Sequence, residues 1–285
     1  MFILLIIFAL LCGFIYIAQN SMLFHHVSDP DGRDYLRSLA DYREVEFTAG
    51  NGKTYRGMMY QPINEAAPLI IYFGGNGECS YSHMRSRDAL GQWDYFAGYN
   101  YLFVDYEGYG LNPGKTSYTS IYEGALAAYD YALTLAVVDP ERIVAMGFSL
   151  GTGSAVYLAA KRSVALLILA APYANGYDIY NNALPVFYGP LKLLVRQKLP
   201  SDRYAPLVTC PALIIASRRD EVIPFSSSER LAKLIASKSN VDFKVDFVEL
   251  NYARHNDLIS VEGVYEKVQV FLEALYLPPE RSRPL

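Results

Sequence analysis

A serine flanked by glycines stands near the middle of the chain, in the pentapeptide Gly147-Phe148-Ser149-Leu150-Gly151. An apolar run typical of a buried strand precedes it, and a helix-like stretch of small residues, 152–160, follows it. A sharp turn between strand and helix exposes the serine hydroxyl, and the glycines let the two elements approach closely. The pattern predicts a nucleophile, although a glycine-rich strand–helix corner can also arise by chance.

A serine hydroxyl needs a base to take its proton, and that base needs a carboxylate to orient it. Of the four histidines, only His255 follows the serine in the chain, in a loop after a strand-like run. Such loops gather at the carboxyl edge of an open α/β sheet. The candidate acid is Asp220, which also follows a predicted strand, while its neighbour Glu221 should point elsewhere. A surface ion pair with Arg218 or Arg219 is the alternative interpretation of Asp220.

Acyl transfer produces a negative oxygen that two preorganised backbone N–H groups stabilise. One predicted donor is the N–H of Leu150, directly after the serine, and the other is the N–H of Asn76. Asn76 lies in the loop Gly74-Gly75-Asn76-Gly77, behind the first long apolar strand. A phosphate-binding loop is the competing interpretation, but no Gly-Lys-Ser/Thr sequence follows these glycines.

Strand-like and helix-like stretches alternate from residue 43 to residue 277. An antiparallel hairpin is predicted over residues 43–48 and 54–60, joined by glycine-rich turn residues. Further strands are predicted before the serine and over 67–73, 99–104, 164–170, 212–216 and 243–250. Helices are predicted over 81–96, 120–137, 152–160, 227–237 and 263–275. This alternation predicts an α/β fold, with a mostly parallel sheet covered by helices on both faces and the hairpin at one edge.

Residues 172–207 interrupt the alternation, because they contain aromatic residues but no strand-like run. Insertions of this length in compact domains are usually functional. We predict a small lid or cap here, and an ordinary helical excursion is the alternative.

Residues 1–18 contain no charged side chain and no proline. About 18 apolar residues suffice to cross the hydrocarbon core as a helix, which predicts an N-terminal transmembrane anchor followed by a connector over 19–42. A cleaved signal peptide is the alternative, but Tyr16 stands where a small residue should precede the cut. The α-amine is the one positive charge before the span, and Asp29, Asp31 and Asp34 follow it, so we expect a single-pass protein with its catalytic domain outside the cytoplasm.

The overall composition excludes some partners. The net charge is −4 and no basic stripe is present, so nucleic acid is not an expected partner. The three cysteines show no metal-binding spacing. Cys79 and Cys210 could form a disulfide or remain buried thiols. No metal ion and no organic cofactor are predicted, and residues 278–285 form a tail.

Four features stand in an order that is typical of one superfamily. They are Gly74-Gly75-Asn76, Asp105-Tyr106-Glu107-Gly108-Tyr109-Gly110, the Gly-x-Ser-x-Gly motif, and Asp220 with His255. From residue 43 to 277 the chain resembles the α/β-hydrolase superfamily, and most of all its serine aminopeptidase-like and monoacylglycerol-lipase-like branch. The resemblance implies an α/β-hydrolase fold with a Ser149–Asp220–His255 catalytic triad.

Two positions depart from the pattern of that branch. Gly74 stands where histidine is usual, so a brace from that ring is missing, and Glu107 replaces a usual arginine. Neither change removes a triad member. The sequence therefore predicts a membrane-anchored serine hydrolase that cleaves carboxylic ester or thioester bonds of apolar, lipid-like acyl substrates. An aminopeptidase-type serine peptidase and a non-catalytic scaffold on the same fold are the alternatives.

Overall fold

The computed structural model describes residues 2–183, 185–187, 189–237, 243–261 and 263–273 of the chain. The strands in these ranges are β1 (Tyr42–Thr48), β2 (Thr54–Tyr60), β3 (Ala67–Phe73), β4 (Asn100–Val104), β5 (Val138–Phe148), β6 (Leu166–Ala170), β7 (Ala212–Ser217) and β8 (Val245–Leu250). The α-helices are α1 (Phe2–Leu23), α2 (Pro30–Arg37), α3 (Ser80–Ala89), α4 (Tyr118–Ala132), α5 (Leu150–Lys161), α6 (Gly176–Ala183), α7 (Ser201–Tyr204), α8 (Phe225–Ala236) and α9 (Val264–Glu273).

All eight described strands belong to one sheet, in the order β1-β2-β4-β3-β5-β6-β7-β8. The pairs β1–β2 and β2–β4 are antiparallel, and the other neighbours are parallel. The predicted hairpin therefore lies at one edge of the sheet. Every residue of β3, β4 and β6 is buried, as expected of parallel strands that helices cover on both faces.

The helices pack in two groups. Helices α4 and α5 pack against each other and on the sheet. Helix α2 packs on α3, and both α3 and α9 contact the 3-10 turn Gln92–Phe96. Together they confirm the predicted α/β-hydrolase architecture. The carboxyl ends of β3, β5, β7 and β8 all meet at one edge, where the residues that could do chemistry follow.

Two predicted helices end at least five residues earlier in the structure. The stretch predicted as 81–96 is helical only to Ala89, because Gly91 adopts a φ of +62° and a 3-10 turn, Gln92–Phe96, follows. The helix predicted over 120–137 ends at Ala132. Pro140 then lies inside β5, where pairing with β3 is interrupted between Val138 and Ile143. Proline lacks a backbone N–H, so it fits such an interruption.

The N-terminal helix is longer than the predicted span. Helix α1 continues through the polar residues Gln19–Ser21 to Leu23, beyond the stretch predicted as the anchor. Among the residues that the structure describes, α1 alone is long and apolar enough to cross a membrane, with a mean hydropathy of 1.9 over Ile6–Leu23. A signal sequence would have the same length and composition.

The insertion predicted over 172–207 contains α6, α7 and two 3-10 turns, Gly189–Leu194 and Ala205–Leu207. It lies against the end of α1, because Gln19 Nε2 donates to the carbonyl of Leu194 at 2.5 Å and Arg196 N donates to Gln19 Oε1 at 2.7 Å. Its action as a lid stays a prediction.

The two cysteines of the folded domain are thiols. Cys79 and Cys210 are both buried and unpaired with each other, so the disulfide alternative does not apply. Burial raises the pKa of the Cys210 thiol to about 12. The predicted tail, residues 278–285, lies outside the described residues.

Candidate active site

Ser149 occupies the turn between β5 and α5. Its φ of +48° and ψ of −114° are strained values for a residue with a Cβ, as the predicted sharp turn requires. The flanking glycines allow the turn to close. A Cβ at Gly147 would lie 2.6 Å from the carbonyl oxygen of Gly151, and a Cβ at Gly151 would lie 1.9 Å from that of Phe73.

The structure brings Ser149, His255 and Asp220 into one hydrogen-bonded series. His255 Nε2 lies 2.9 Å from Ser149 Oγ, and His255 Nδ1 lies 2.8 and 3.0 Å from the two carboxylate oxygens of Asp220. A carboxylate only accepts, so the Nδ1–H donates to Asp220 and Nε2 is left to accept from the serine hydroxyl. Ser149 is 7% exposed and His255 5% exposed, so little water surrounds this series.

The loop after β7 holds the carboxylate of Asp220 in place. Its Oδ1 accepts hydrogen bonds from the backbone N–H groups of Val222 and Ile223, both at 2.8 Å. Arg218 pairs with Glu249 rather than with Asp220, so the surface ion-pair interpretation does not hold for Arg218.

The loop after β8 holds the imidazole of His255. Ser217 Oγ donates to the carbonyl of Ala253 at 2.5 Å, which ties the end of β7 to this loop. The N–H of His255 donates to Glu221 Oε2 at 3.2 Å, and Phe148 stacks on the ring with centroids 5.3 Å apart. Glu221 thus supports the histidine loop, a role that its position beside Asp220 did not indicate.

The predicted oxyanion donors lie on adjoining segments. Leu150 is the first residue of α5, so its N–H belongs to the helix start, where backbone donors have no partner within the helix. Asn76 is an exposed residue of the glycine loop, residues 74–78, that follows β3. The start of α5 lies against this loop, because a Cβ at Gly151 would also lie 2.7 Å from the carbonyl oxygen of Gly74.

Side chains brace the glycine loop from within the domain. Glu78 Oε2 accepts from the N–H of Gly75 at 2.5 Å, and the Tyr106 hydroxyl donates to the carbonyl of Gly74 at 2.7 Å. A Cβ at Gly74 would lie only 2.5 Å from Cζ of Phe103, so a larger side chain there would displace that ring. These two bonds brace the loop at the position where the usual histidine is missing.

The turn after β4 is organised by a buried carboxylate. Asp105 accepts from Ser80 N at 2.8 Å, from Ser80 Oγ at 2.7 Å and from Leu111 N at 3.2 Å. Burial raises the pKa of Asp105 to about 6, against these hydrogen bonds, which lower it. At the position of the missing arginine, Glu107 lies 3.4 Å from Lys53 Nζ, so the carboxylate there is paired with a cation.

Several of these supporting groups could not be identified from the sequence. Glu78, Tyr106 and Glu221 act through backbone atoms of the loops around the site, and no spacing in the chain signals such contacts. Within the described residues, no group of three or more histidine, cysteine, aspartate or glutamate side chains is placed to hold a metal ion.

Comparison with known proteins identifies the superfamily to which this fold belongs. The Dienelactone hydrolase family matches residues 114–252. Human alpha/beta hydrolase domain-containing protein 17C is 30% identical over 253 residues, 87% of this chain and 71% of that protein. The chain therefore belongs to the α/β-hydrolase superfamily, and hydrolysis is the activity class that goes with this membership.

Solved structures share the fold at low sequence identity. The Pyrococcus furiosus esterase Pf2001 is 17% identical with a TM-score of 0.68, over 88% of this chain and 96% of its own. A puromycin-hydrolyzing peptidase of Mycobacterium tuberculosis is also 17% identical, with a TM-score of 0.61, over 83% of this chain. The chain spans only 40% of that peptidase, so this likeness concerns the fold of one part of it.

Proposed function

We propose that this protein is a serine hydrolase that cleaves carboxylic ester or thioester bonds of apolar acyl substrates. The observation that carries the proposal is the series Ser149 Oγ, His255 Nε2, His255 Nδ1 and Asp220, with successive contacts of 2.9 and 2.8 Å. A hydroxyl, an imidazole and a carboxylate in this order have the geometry of nucleophile, general base and orienting acid.

Each step follows from these contacts. Ser149 Oγ attacks the acyl carbonyl while His255 Nε2 takes its proton, and Asp220 stabilises the resulting imidazolium. The N–H groups of Leu150 and Asn76 stabilise the oxyanion. His255 then gives its proton to the departing alcohol or thiol, leaving an acyl-serine ester. Water attacks that ester with His255 again as the base, which releases the carboxylic acid and restores Ser149.

An active-site probe tests the chemistry. We expect a fluorophosphonate to label the intact protein at Ser149 and to leave Ser149→Ala unlabelled. The same substitution should lower ester turnover by roughly five to six orders of magnitude, because the three groups act as a unit. Absence of labelling in the wild-type protein, or equal labelling of Ser149→Ala, would count against the proposal.

The apolar acyl group is inferred from the surroundings of the site. The insertion over 172–207 supplies aromatic and leucine residues, and it lies against the apolar helix α1. Glu221, the carboxylate next to Asp220, is paired with Arg254 at 3.0 Å, so it is not free to recognise a substrate amine. These contacts favour an acyl substrate over the N-terminal residue of a peptide.

A substrate panel separates the two hydrolase candidates. We expect p-nitrophenyl esters of medium or long acyl chains to be cleaved with a higher kcat/KM than the acetate, by about tenfold or more for several buried methylenes. Aminoacyl anilides should react more slowly than any of these esters. A flat chain-length profile would argue against the apolar acyl group, and a preference for the anilides would favour the peptidase.

A further inference from the structure

We propose that the side chain of Asn76 is a positioning residue, through which the exit segment of α1, residues 23–27, holds the glycine loop in its oxyanion-binding conformation. The inference rests on the proposed function, since it concerns the same reaction. It adds that the chain leaving the apolar helix is part of the active-site frame.

The three hydrogen bonds of the Asn76 side chain carry the inference. Its Nδ2 donates to the carbonyl of Leu23 at 2.7 Å. Its Oδ1 accepts from the N–H of His25 at 2.9 Å and from the hydroxyl of Tyr109 at 2.6 Å. Asn76 is exposed, yet its amide is engaged at both ends, by groups that are 33 to 53 residues away in the chain.

The partners define the orientation of this amide. The carbonyl of Leu23 can only accept and the N–H of His25 can only donate, so the Asn76 oxygen and nitrogen cannot exchange places. The N–H of His25 and the carbonyl of Leu23 therefore hold the two ends of one amide. Two directional hydrogen bonds position residue 76 more specifically than an apolar contact would.

The exit segment is itself fixed to the domain. Phe24 is 3% exposed, and the carbonyl of Val27 accepts from the N–H of Gly110 at 2.9 Å. His26 Nε2 lies 3.1 Å from Thr116 Oγ1, and its ring meets that of Tyr109 edge-on with centroids 5.4 Å apart. The segment that bonds Asn76 is thus itself attached to the turn after β4.

The glycine loop needs hydrogen bonds from outside the loop because its glycines allow many backbone conformations. It contains Gly74, Gly75 and Gly77, the last with a φ of +89°, so few side chains restrict it. Bonds from Glu78 and Tyr106 hold its first two residues, and the Asn76 side chain holds its tip. An oxyanion donor contributes most when its direction is set before the reaction begins.

Two substitutions in the full-length chain test the inference. Asn76→Asp keeps the shape but places an oxygen against the Leu23 carbonyl, and Tyr109→Phe removes one donor. We expect kcat per fluorophosphonate-labelled Ser149 to fall about tenfold or more for Asn76→Asp, with KM within about twofold. Tyr109→Phe should lower it about threefold to tenfold. The matched control is Tyr129→Phe, which loses a 2.6 Å bond to the carbonyl of Ser163 elsewhere in the domain and should change kcat less than twofold.

An arylboronic acid, which mimics the tetrahedral intermediate, supplies the readout that a purely structural role would not move. Its inhibition constant should rise by the same factor as kcat/KM falls in each variant. Unchanged kcat per labelled serine in both variants, or a loss of kcat/KM with an unchanged inhibition constant, would overturn the positioning role while leaving the hydrolase intact. A wild-type protein that the fluorophosphonate does not label would remove the proposed function and this inference together.

Discussion

The Nε2 atom of His83 accepts a hydrogen bond from Arg87 Nε at 2.7 Å, so the ring carries its proton on Nδ1, which faces Glu78. Burial, and then the charge of Arg87, lower the pKa of His83 from 6.5 to about 4. Asp105 shifts in the opposite sense, since burial raises its pKa to about 6. Both residues bind protons differently in the folded and unfolded states, which makes the free energy of unfolding depend on pH.

The sign of each contribution follows from proton counting. Between pH 6.5 and 4 the unfolded chain protonates His83 and the folded protein does not, so this residue lowers stability as the pH falls. Asp105 acts oppositely between about pH 6 and 4.

We expect His83→Gln to flatten the acid-side loss of stability by up to about 1.4 kcal/mol per pH unit relative to the wild type. Urea unfolding of both proteins at pH 7, 6 and 5 measures this difference. Asp105 is present in both proteins, so its contribution to the pH dependence cancels in the comparison. Parallel pH curves would contradict it.

Sequence reasoning nominated Ser149, Asp220 and His255 because their types, their chain order and their positions after strands restrict the choice to few candidates. It could not assign Glu78 or the side chain of Asn76. Their partners are backbone groups whose position depends on how the loops fold, and a side chain that serves a backbone atom leaves no periodic pattern in the sequence.

At the scale of elements, the corner between β5 and α5 is pressed against the end of β3. A Cβ at Gly151 would lie 1.9 Å from the carbonyl oxygen of Phe73, a separation that side chains cannot relieve because both sides are backbone. Helix α5 could accommodate the added methyl only by moving away from β3. That movement would carry Ser149 and Leu150 with it.

We therefore expect Gly151→Ala to lower the free energy of unfolding by about 1–3 kcal/mol. Its kcat/KM should fall by about 10- to 100-fold, because displacing reacting groups by an ångström has effects of this size. Gly50→Ala is the matched control, since nothing lies within 4 Å of a Cβ at that hairpin position. Denaturation and ester kinetics on the two variants measure both quantities. Wild-type behaviour of Gly151→Ala would show that the corner has more room than its contacts indicate.

Strand positions were predictable and helix ends were less so. The run over 67–73 is apolar throughout and becomes β3 with the same bounds. The helix predicted to residue 137 stops at Ala132. The apolar residues after Ala132 suit a helix as well as a turn, so their composition alone could not locate the end of the helix. Local composition distinguishes buried from exposed segments better than it locates the residue where one element ends.

At the scale of the whole molecule, the alternation of strands and helices predicted a mostly parallel sheet with an antiparallel edge, and the structure has that topology. The docking of α1 was not predictable. Gln19 and Asn20 contact Leu194 and Gln197, which are more than 170 residues away in the chain. Polar residues after an apolar run indicate a helix end by composition, whereas here they form the joint between that helix and the domain.

This joint affects the distance between Ser149 and a membrane that takes up α1. Arg196 donates to the carbonyl of Tyr16 at 3.4 Å and its guanidinium lies 5.0 Å from the centre of the Tyr16 ring, so these contacts attach the helix to the domain. If a bilayer takes up the apolar part of α1, the height of Ser149 above the lipid surface is then a built-in dimension of the protein. Molecules whose scissile bond stands at another height would then not reach Ser149.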